Sequence, residues 1–323
     1  MNNRRQVFII NAEPDQYSER AKEILDSFSD TRSLHLGRKE LMGVIRDADG
    51  LIVRLGYKID SDFLEAGPNL RFIATATTGL NHVDEDACSK RKIEIISLKG
   101  QKKFLESITA TAEHTWGLLL SLIRFIPHAF DGVCTGNWDR EQFKGRELSG
   151  LTLGVVGYGR LGRMIARYGD AFRMNVIATD PAPISLDDKI EFVSFDKLLM
   201  NSDIISLHLP LLSSTYNILN AKNFNLIKPG AVLINTSRGE LIDEKQLLLA
   251  LDSGQLSAAA IDVLKNEVEW GRNIPNDHPV VRYAQTQRNL LITPHIAGVT
   301  SSSMEKTEIF IANKIKDFVS ENL

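Results

Sequence analysis

A glycine-rich turn, Gly157-Tyr-Gly-Arg-Leu-Gly162, constrains this chain more than any other feature. It follows the apolar run Leu151–Val156 and precedes Arg163–Tyr168, a segment typical of a helix. In a strand–turn–helix unit of this kind, the first glycine permits the turn and the second admits a pyrophosphate close to the backbone. The third lets helix and strand pack closely. The free N–H groups at the start of the helix favour a bound phosphate. The pattern therefore predicts a dinucleotide-binding unit.

An acidic residue lies at the position where a dinucleotide-binding unit uses one to bind the ribose. Asp180 follows a second apolar run, Met174–Ala178, and lies eighteen residues after Gly162. Its carboxylate can accept hydrogen bonds from an adenosine ribose, and its charge repels a 2′-phosphate. We therefore expect the cofactor to be NAD.

Composition and charge exclude several classes of function. The chain has 323 residues, of which 43% are hydrophobic and 24% charged, as in ordinary globular proteins. The net charge of −3 and the lack of a lysine/arginine block argue against a nucleic-acid partner. The two cysteines, Cys88 and Cys134, cannot build a Cys-rich zinc site and suit a reducing compartment. No apolar run is long enough to span a membrane, so we expect a cytoplasmic protein with no metal site and no membrane partner.

Short apolar runs alternate with helical patterns along most of the chain. Between the first two runs, apolar residues recur at helical spacing over Asp15–Phe28. This alternation predicts βαβ units and hence parallel sheets. The predicted strands are Val7–Ile10, Ser33–Leu36, Leu51–Arg54, Phe72–Thr75 and Ile93–Ile96 before the glycine turn, and Asp203–Leu209, Ala231–Asn235, Ser257–Ile261 and Leu290–Thr293 after it.

A long apolar helix is predicted between the two runs of βαβ units. It covers about Ala110–Phe125, and Pro127 is expected to end it. Two doubly wound α/β units on either side of this helix predict two domains with a cleft between them. Asp243 is expected to cap the helix Glu244–Asp252, and Gly254 to end it.

Seven motifs in a fixed order identify a family resemblance. They are Val53–Gly56, Thr78–Asp84, Gly157–Gly162, Leu207–Pro210, Asn235–Gly239, Ala260–Glu267 and Thr293–Gly298. Together they resemble the D-isomer-specific 2-hydroxyacid dehydrogenases, the group that contains phosphoglycerate, glyoxylate/hydroxypyruvate and D-lactate dehydrogenases. The resemblance implies two doubly wound parallel-sheet domains with a cleft between them. Residues 106–297 are then an NAD-binding Rossmann domain, and residues 1–105 with 298–323 are a flavodoxin-like substrate domain.

The resemblance also implies a reaction and a catalytic set. The reaction is NAD-dependent interconversion of a D-2-hydroxy acid and its 2-keto acid by hydride transfer. Arg238 then binds the substrate carboxylate through its forked donors, and His295 is the general acid/base. Glu267 orients the imidazole of His295 and favours its charged form. For each of the three residues alone, a purely structural role explains the sequence at least as well as a catalytic role. The catalytic interpretation is favoured only because all three match family positions together.

Further contacts follow from the same resemblance. In the substrate domain, the loop Arg54, Leu55 and Gly56 resembles one that holds the substrate carboxylate through backbone N–H groups. For Arg54, a salt bridge at a strand end is an equally good interpretation. The family habit and the apolar content of Ala110–Trp138 predict a homodimer. The implied cofactor contacts are Gly157, Gly159, Arg160, Leu161, Gly162, Asp180, His208, Leu209, Pro210, Thr215, Thr236, Ser237, Asp262, Ala297 and Gly298.

Two departures from the family pattern leave the substrate open. The segment 268–290, which contains Arg272, is long and has valine at residue 268 where relatives usually have proline. The stretch Gln101–Ser107 lacks the small-residue pattern that is usual in the family. Two other classes of function stay open as well. One is a nicotinamide-sensing binding protein without important turnover, which a keto-acid panel distinguishes from an enzyme. The other is a methyltransferase that uses the glycine turn for S-adenosylmethionine, which a cofactor titration would detect.

Overall fold

Parallel sheets form the centre of two α/β units in this computed structural model, which describes residues 6–182, 190–270 and 273–323. The first unit comprises Met1–Ile108, Val268–Asn273 and Val299–Leu323, and the second comprises Thr109–Glu267 and Ile274–Gly298. The predicted two-domain α/β fold with parallel sheets is confirmed. The assignment of residues 1–105 and 298–323 to substrate and of 106–297 to cofactor stays a prediction.

The helices and strands alternate as a βαβ chain requires. The strands are β1 (Val7–Asn11), β2 (Ser29–Ser33), β3 (Gly50–Val53), β4 (Phe72–Thr75), β5 (Glu94–Ser97), β6 (Thr152–Val156), β7 (Asn175–Thr179), β8 (Glu191–Phe192), β9 (Ile204–Leu207), β10 (Ala231–Asn235), β11 (Leu256–Ile261) and β12 (Leu290–Ile292). The helices are α1 (Glu19–Asp26), α2 (Arg38–Val44), α3 (Ser61–Ala66), α4 (Glu85–Lys90), α5 (Lys102–Leu105), α6 (Ala110–Ile123), α7 (Ile126–Cys134), α8 (Arg160–Ala171), α9 (Phe195–Asn201), α10 (Ala221–Phe224), α11 (Glu244–Asp252), α12 (Pro279–Thr286) and α13 (Ser301–Asn322).

The first unit has the strand order β2-β1-β3-β4-β5, with every pairing parallel. This is the flavodoxin-like order, in which the chain changes direction across the sheet between β1 and β3. Helices pack on both faces because each parallel connection must cross over the sheet. The C-terminal helix α13 packs against α1 and buries Ile311, Ala312 and Ile315 in the same core as Phe72.

The predicted strand Ser33–Leu36 is wrong. The strand at this place is β2, Ser29–Ser33, which pairs with β1 from Val7 to Asn11. β2 is an edge strand of mostly polar residues, so it carries no apolar run. The apolar side chains Leu34 and Leu36 follow it in a loop and pack against the core from there. The apolar spacing of Leu34 and Leu36, which suggested a strand, therefore reflects two loop side chains that pack against the core.

The second unit has the strand order β12-β11-β10-β9-β6-β7-β8, again with every pairing parallel. From β6 the chain first moves outward through β7 to β8 and then returns to the other side of β6 at β9. The switch point therefore lies between β6 and β9, the place where open α/β sheets bind ligands beyond the carboxyl ends of their strands. Asp243 caps α11 by accepting from Gln246 N at 3.2 Å, and Gly254 follows with φ +76°, as predicted.

The helix before the glycine turn ends differently from the prediction. α6 stops at Ile123, and Phe125 takes the left-handed conformation with φ 54°. Pro127 lies in the first turn of the following helix α7. A backbone N–H has no acceptor within the helix at this position, so proline costs no hydrogen bond there. The proline therefore starts a helix and does not end one. In the described residues no single helix is long and apolar enough to cross a membrane, and only the bent pair Lys102–Ile123 with Ile126–Cys134 passes that test of length and composition.

A buried ion pair joins the loop after β3 to the C-terminal helix in the first unit. The carboxylate of Glu308 on α13 is 2% exposed and pairs with the guanidinium of Arg54, which is 23% exposed. Glu308 Oε2 also accepts from Ser18 N at 2.7 Å, and Arg54 Nη1 donates to Asp15 O at 3.0 Å. Each charge therefore has several partners, which is the condition for burying it at all.

We predict that Glu308→Ala lowers the free energy of unfolding by about 2–3 kcal/mol, because it leaves Arg54 and Ser18 N without their acceptor. Urea unfolding followed by circular dichroism measures this as a lower midpoint at constant slope. Glu305→Ala is the matched control, since Glu305 lies on the same helix with its side chain exposed. Equal stability of the two variants would contradict the prediction.

Candidate active site

The glycine turn after β6 has the shape that a pyrophosphate requires. Gly157 has φ +91°, and a Cβ there would lie 2.4 Å from the backbone oxygen of His208. A Cβ at Gly162 would lie 2.0 Å from the Gly157 oxygen, so helix α8 can approach β6 this closely only with glycine. A Cβ on Gly159 would project into open space. Open space beside the N-terminal turn of α8 fits a bound dinucleotide, whose phosphates the helix N–H groups would hold.

Asp180 lies directly after β7, beside this turn. Its Oδ2 accepts from Tyr158 N at 2.8 Å, and its Oδ1 accepts from Ala182 N at 2.9 Å. The carboxylate is thus fixed against the glycine turn by two backbone donors and stays half exposed. A fixed negative charge here suits a ribose diol and opposes a 2′-phosphate.

The loop after β9 forms the other side of the switch point. Burial lowers the pKa of His208 to about 3, and its Nε2 lies 2.7 Å from Ser206 Oγ. His208 is therefore neutral at neutral pH and cannot serve as a proton donor there. Thr215 Oγ1 accepts from Leu212 N at 2.8 Å and donates to Pro210 O at 2.7 Å, so this hydroxyl organises the loop. The predicted cofactor contacts of this loop, which also includes Leu209, stay predictions.

A histidine–glutamate pair follows β11 and β12. His295 Nδ1 lies 2.5 Å from Glu267 Oε1, and the second oxygen of Glu267 accepts from Leu264 N at 3.1 Å. Both side chains are mostly buried, with 25% of His295 and 21% of Glu267 exposed. Within the described residues, the other ring nitrogen of His295, Nε2, has no hydrogen-bond partner. The glutamate thus fixes the ring through one nitrogen and leaves the other available for proton transfer.

Arg238 follows β10 and lies close enough to Glu267 for their charges to interact. Burial lowers the pKa of Arg238, while the charges of Glu267 and Glu240 act in the opposite direction. Its Nη1 donates to Ser237 O at 2.6 Å, and Asn235 Nδ2 donates to Arg238 O at 2.8 Å. The structure therefore brings the three predicted catalytic residues into one part of the second unit, where a half-buried cation can meet a carboxylate.

Asp262 organises the loop that carries His295. Its side chain is fully buried, and it accepts from Ile296 N at 2.9 Å, Ala297 N at 2.8 Å and Thr293 Oγ1 at 2.5 Å. Its backbone oxygen accepts from His295 N at 2.8 Å. These contacts fix both the backbone and the direction of the His295–Gly298 loop. The predicted cofactor contact of Asp262 stays a prediction.

Sequence reasoning missed the part that α6 plays beside this loop. His114 Nε2 lies 3.0 Å from Thr293 Oγ1 and 3.4 Å from Asp262 Oδ1. At the next position, Thr115 Oγ1 lies 2.8 Å from Thr236 Oγ1, which belongs to the loop after β10. Both polar residues lie inside an apolar helix, and that placement was the one available sign that they meet something polar.

The predicted substrate loop lies in the first unit and is occupied by side chains of the chain itself. Arg54 N donates to Glu13 Oε2 at 2.5 Å, and Gly56 N donates to Glu13 Oε1 at 3.1 Å. The guanidinium of Arg54 pairs with Glu308, so the salt-bridge interpretation of this side chain holds in the structure. The substrate role of Arg54, Leu55 and Gly56 stays a prediction.

A short 3-10 turn, Glu267–Glu269, carries the predicted catalytic glutamate and leads into the long segment 268–290, which contains α12. Arg272 lies outside the described residues. Among the residues that are described, no group of three or more His, Cys, Asp or Glu side chains is placed to hold a metal ion.

Known proteins match this chain over most of its length. Residues 116–297 match the family model described as "D-isomer specific 2-hydroxyacid dehydrogenase, NAD binding domain". A hydroxypyruvate reductase of Thermotoga maritima is 37% identical over 283 residues, which cover 88% of this chain and 89% of that protein. A D-3-phosphoglycerate dehydrogenase of Methanocaldococcus jannaschii is 34% identical over 94% of this chain, but the match spans only 56% of that protein.

Solved structures agree with the sequence matches. The crystal structure of a D-lactate dehydrogenase from Aquifex aeolicus, complexed with NAD and lactic acid, has a TM-score of 0.84 and 29% identity to this chain. The superposition covers 98% of this chain and 96% of that one. The match to the family model and the similarity to the Thermotoga maritima protein show that this chain belongs to the D-isomer-specific 2-hydroxyacid dehydrogenases, a family of NAD-dependent oxidoreductases.

Proposed function

We propose that this NAD-dependent dehydrogenase interconverts a small, unphosphorylated D-2-hydroxy acid and its 2-keto acid, with hydroxypyruvate and glyoxylate as the best keto substrates. The hydroxypyruvate and glyoxylate reductases are relatives that this chain matches over 89% and 88% of their own lengths. The observation that carries the proposal is the His295–Glu267 contact beside Arg238. Turnover on a panel of keto acids with NADH tests it, and no turnover on any of them would leave a nicotinamide-sensing binding protein as the better interpretation.

His295 is the proton donor in reduction. Glu267 holds Nδ1, so Nε2 carries the proton that the keto oxygen receives as it becomes a hydroxyl. In the reverse direction the same nitrogen accepts the proton from the hydroxyl. Because Glu267 is itself fixed by Leu264 N, the ring enters the reaction already oriented.

Arg238 binds the substrate carboxylate. Its guanidinium offers forked donors that match a carboxylate. Because the guanidinium is already largely desolvated by burial, it loses few water molecules when an anionic substrate binds. NAD, when bound, supplies or accepts the hydride. A single stereoisomer forms if Arg238 and His295 fix the carboxylate and the oxygen while hydride reaches the carbon from one side only, and the family resemblance implies that this isomer is D.

We predict a strong preference for NAD over NADP, because the carboxylate of Asp180 meets a 2′-phosphate with like charge. A contact of this kind is worth about 1–3 kcal/mol, or roughly a 5- to 150-fold ratio of kcat/KM. Asp180→Ala should narrow that ratio. Asp196→Ala, which removes an exposed charge from the same unit, should leave the ratio unchanged. An Asp180→Ala enzyme that keeps the full preference would show that another residue excludes the phosphate.

We predict that His295→Ala loses about 10²- to 10⁴-fold in kcat, the usual contribution of a general acid, while NAD affinity is largely kept. Glu267→Gln keeps a hydrogen bond to the ring and removes the carboxylate charge, so it should lose less kcat than His295→Ala. Steady-state rates of keto-acid reduction with NADH measure both effects, with His35→Ala as a control. Full activity of His295→Ala would rule out His295 as the proton donor.

We propose a homodimer formed through α7. Of the apolar residues in the predicted segment Ala110–Trp138, Trp116, Leu118 and Leu119 are buried in the core of the second unit and cannot form an outer surface. α7 and the residues after it instead expose Phe130 and Trp138, at 67% and 86%. Exposed aromatic side chains on a helix and in the segment that follows it are typical of an interface.

We predict that Phe130→Glu converts the dimer into a monomer, because it places a charge in the apolar centre of the interface. Light scattering at micromolar concentration measures the mass. Leu249→Glu, on the exposed side of α11, is the matched control and should stay dimeric. A wild-type monomer under these conditions would refute the dimer.

We also propose a cytoplasmic location. Both cysteines are free thiols, with Cys88 buried and Cys134 exposed. An exposed unpaired thiol suits a reducing compartment.

A further inference from the structure

Three consecutive backbone N–H groups in the loop after β11 donate to three different glutamate side chains. The donors and acceptors are Leu264 N with Glu267 Oε2 at 3.1 Å, Lys265 N with Glu244 Oε1 at 2.9 Å, and Asn266 N with Glu240 Oε1 at 3.3 Å. A hydrogen bond from an N–H group to a carboxylate is charge-assisted and about twice as strong as a neutral one. The three bonds therefore fix the course of the chain directly before Glu267.

The same loop packs on the residue that follows Arg238. A Cβ on Gly239 would lie 2.1 Å from the backbone carbon of Leu264 and 2.3 Å from Lys265 N, so the loop can approach this closely only because residue 239 is glycine. Asn266 then takes the left-handed conformation with φ 62°, which asparagine tolerates better than most residues. Glu267 comes next, so the direction in which its side chain leaves the backbone depends on how this loop is held.

Glu244 connects the loop to two helices of the second unit. It is the first residue of α11, and its side chain is 21% exposed. While Oε1 accepts from Lys265 N, Oε2 lies 3.7 Å from Nε2 of His278, the residue before α12. The long segment 268–290 thus contacts the same carboxylate as the loop. Glu240 makes the longer and more exposed of the two outside contacts, so Glu244 provides the stronger restraint.

We propose that Glu244 is a positioning residue for Glu267: it holds Lys265 N and, through the loop, keeps the Glu267 carboxylate against the ring of His295. This inference rests on the proposed function, in which the His295–Glu267 pair transfers the proton. Without the Glu244 contact the loop shifts, and Glu267 no longer holds Nδ1 of His295 in one orientation. Proton transfer then slows. NADH binding, which is proposed to depend on the glycine turn and Asp180, stays the same.

Three substitutions of Glu244 separate its reach from its charge. Glu244→Asp keeps the charge at the start of α11 but is one methylene shorter, so it does not reach Lys265 N. Glu244→Gln keeps the reach and an acceptor oxygen but loses the charge. With hydroxypyruvate and NADH, we expect kcat to fall about 10- to 100-fold in Glu244→Asp and Glu244→Ala, and by less than about fivefold in Glu244→Gln. The KM for NADH should be unchanged in all three.

Lys245→Ala is the matched control, since Lys245 is the next residue of α11 and its side chain is exposed. It should keep the wild-type kcat. A Glu244→Asp enzyme as active as the wild type, or a larger loss in Glu244→Gln than in Glu244→Asp, would overturn the proposal. Glu244 would then act only as a negative charge at the start of a helix.

A measurement that needs no turnover separates this proposal from the proposed function. The ring resonances of His295 can be followed by NMR on the intact chain with isotope-labelled histidine, and their loss in His295→Ala assigns them. They should shift in Glu244→Asp and lie close to the wild-type positions in Glu244→Gln. Ring resonances that do not move in Glu244→Asp would end the role of Glu244. A wild type inactive on all keto acids would instead end the proposed function.

Discussion

Parallel strands place all of their following loops at one edge of a sheet, and the functional groups of this protein depend on that constraint. In the second unit the pairing of β6 with both β7 and β9 brings the glycine turn, the acid and the Leu-Pro loop to the same edge. The strands β10, β11 and β12 continue the sheet beyond β9, and their following loops lie at the same edge. One predicted site residue lies within three residues of the end of each of six strands, so none of these six needs a long loop to reach its place. They are Gly157 after β6, Asp180 after β7, His208 after β9, Arg238 after β10, Asp262 after β11 and His295 after β12.

Buried carboxylates fix the loops that leave this edge. Asp262 accepts from two backbone N–H groups of the loop that follows His295, and Glu267 uses one oxygen for a backbone N–H and the other for the imidazole. In the first unit Glu13 and Glu308 hold the loop after β3 in the same manner. A carboxylate suits this task because its two oxygens can bridge groups from different segments, and charge-assisted hydrogen bonds are about twice as strong as neutral ones.

His295 shows how such support shapes a reactive residue. Its φ of 53° is left-handed, a conformation that costs a non-glycine residue free energy. The backbone oxygen of Asp262 accepts from its N–H at 2.8 Å, and Glu267 holds its ring at 2.5 Å. The surrounding contacts thus maintain this backbone conformation and fix the orientation of the ring. Orientation fixed before the substrate arrives is what a proton donor needs, since none of the reaction's free energy is then used to order it.

The fold class and the cofactor could be predicted from patterns in the amino-acid sequence, and the reaction class followed from the family resemblance of its motifs. Glycine spacing, apolar alternation and the acid after β7 are local patterns whose physical causes lie within some thirty residues, and they predicted the second unit closely. Patterns of this range failed where a loop or a turn was buried by distant elements, as at Leu34 and Leu36 after β2 and at the left-handed Phe125 before α7. The hydrogen-bond and ion-pair partners of the buried carboxylates could be identified only from the folded chain. Glu13 lies 41 residues from Arg54 along the chain and Glu308 lies 254 residues from it, and no pattern in a sequence reports contacts over such separations. The sheet order brings them together, because adjacent parallel strands need not be adjacent in the chain.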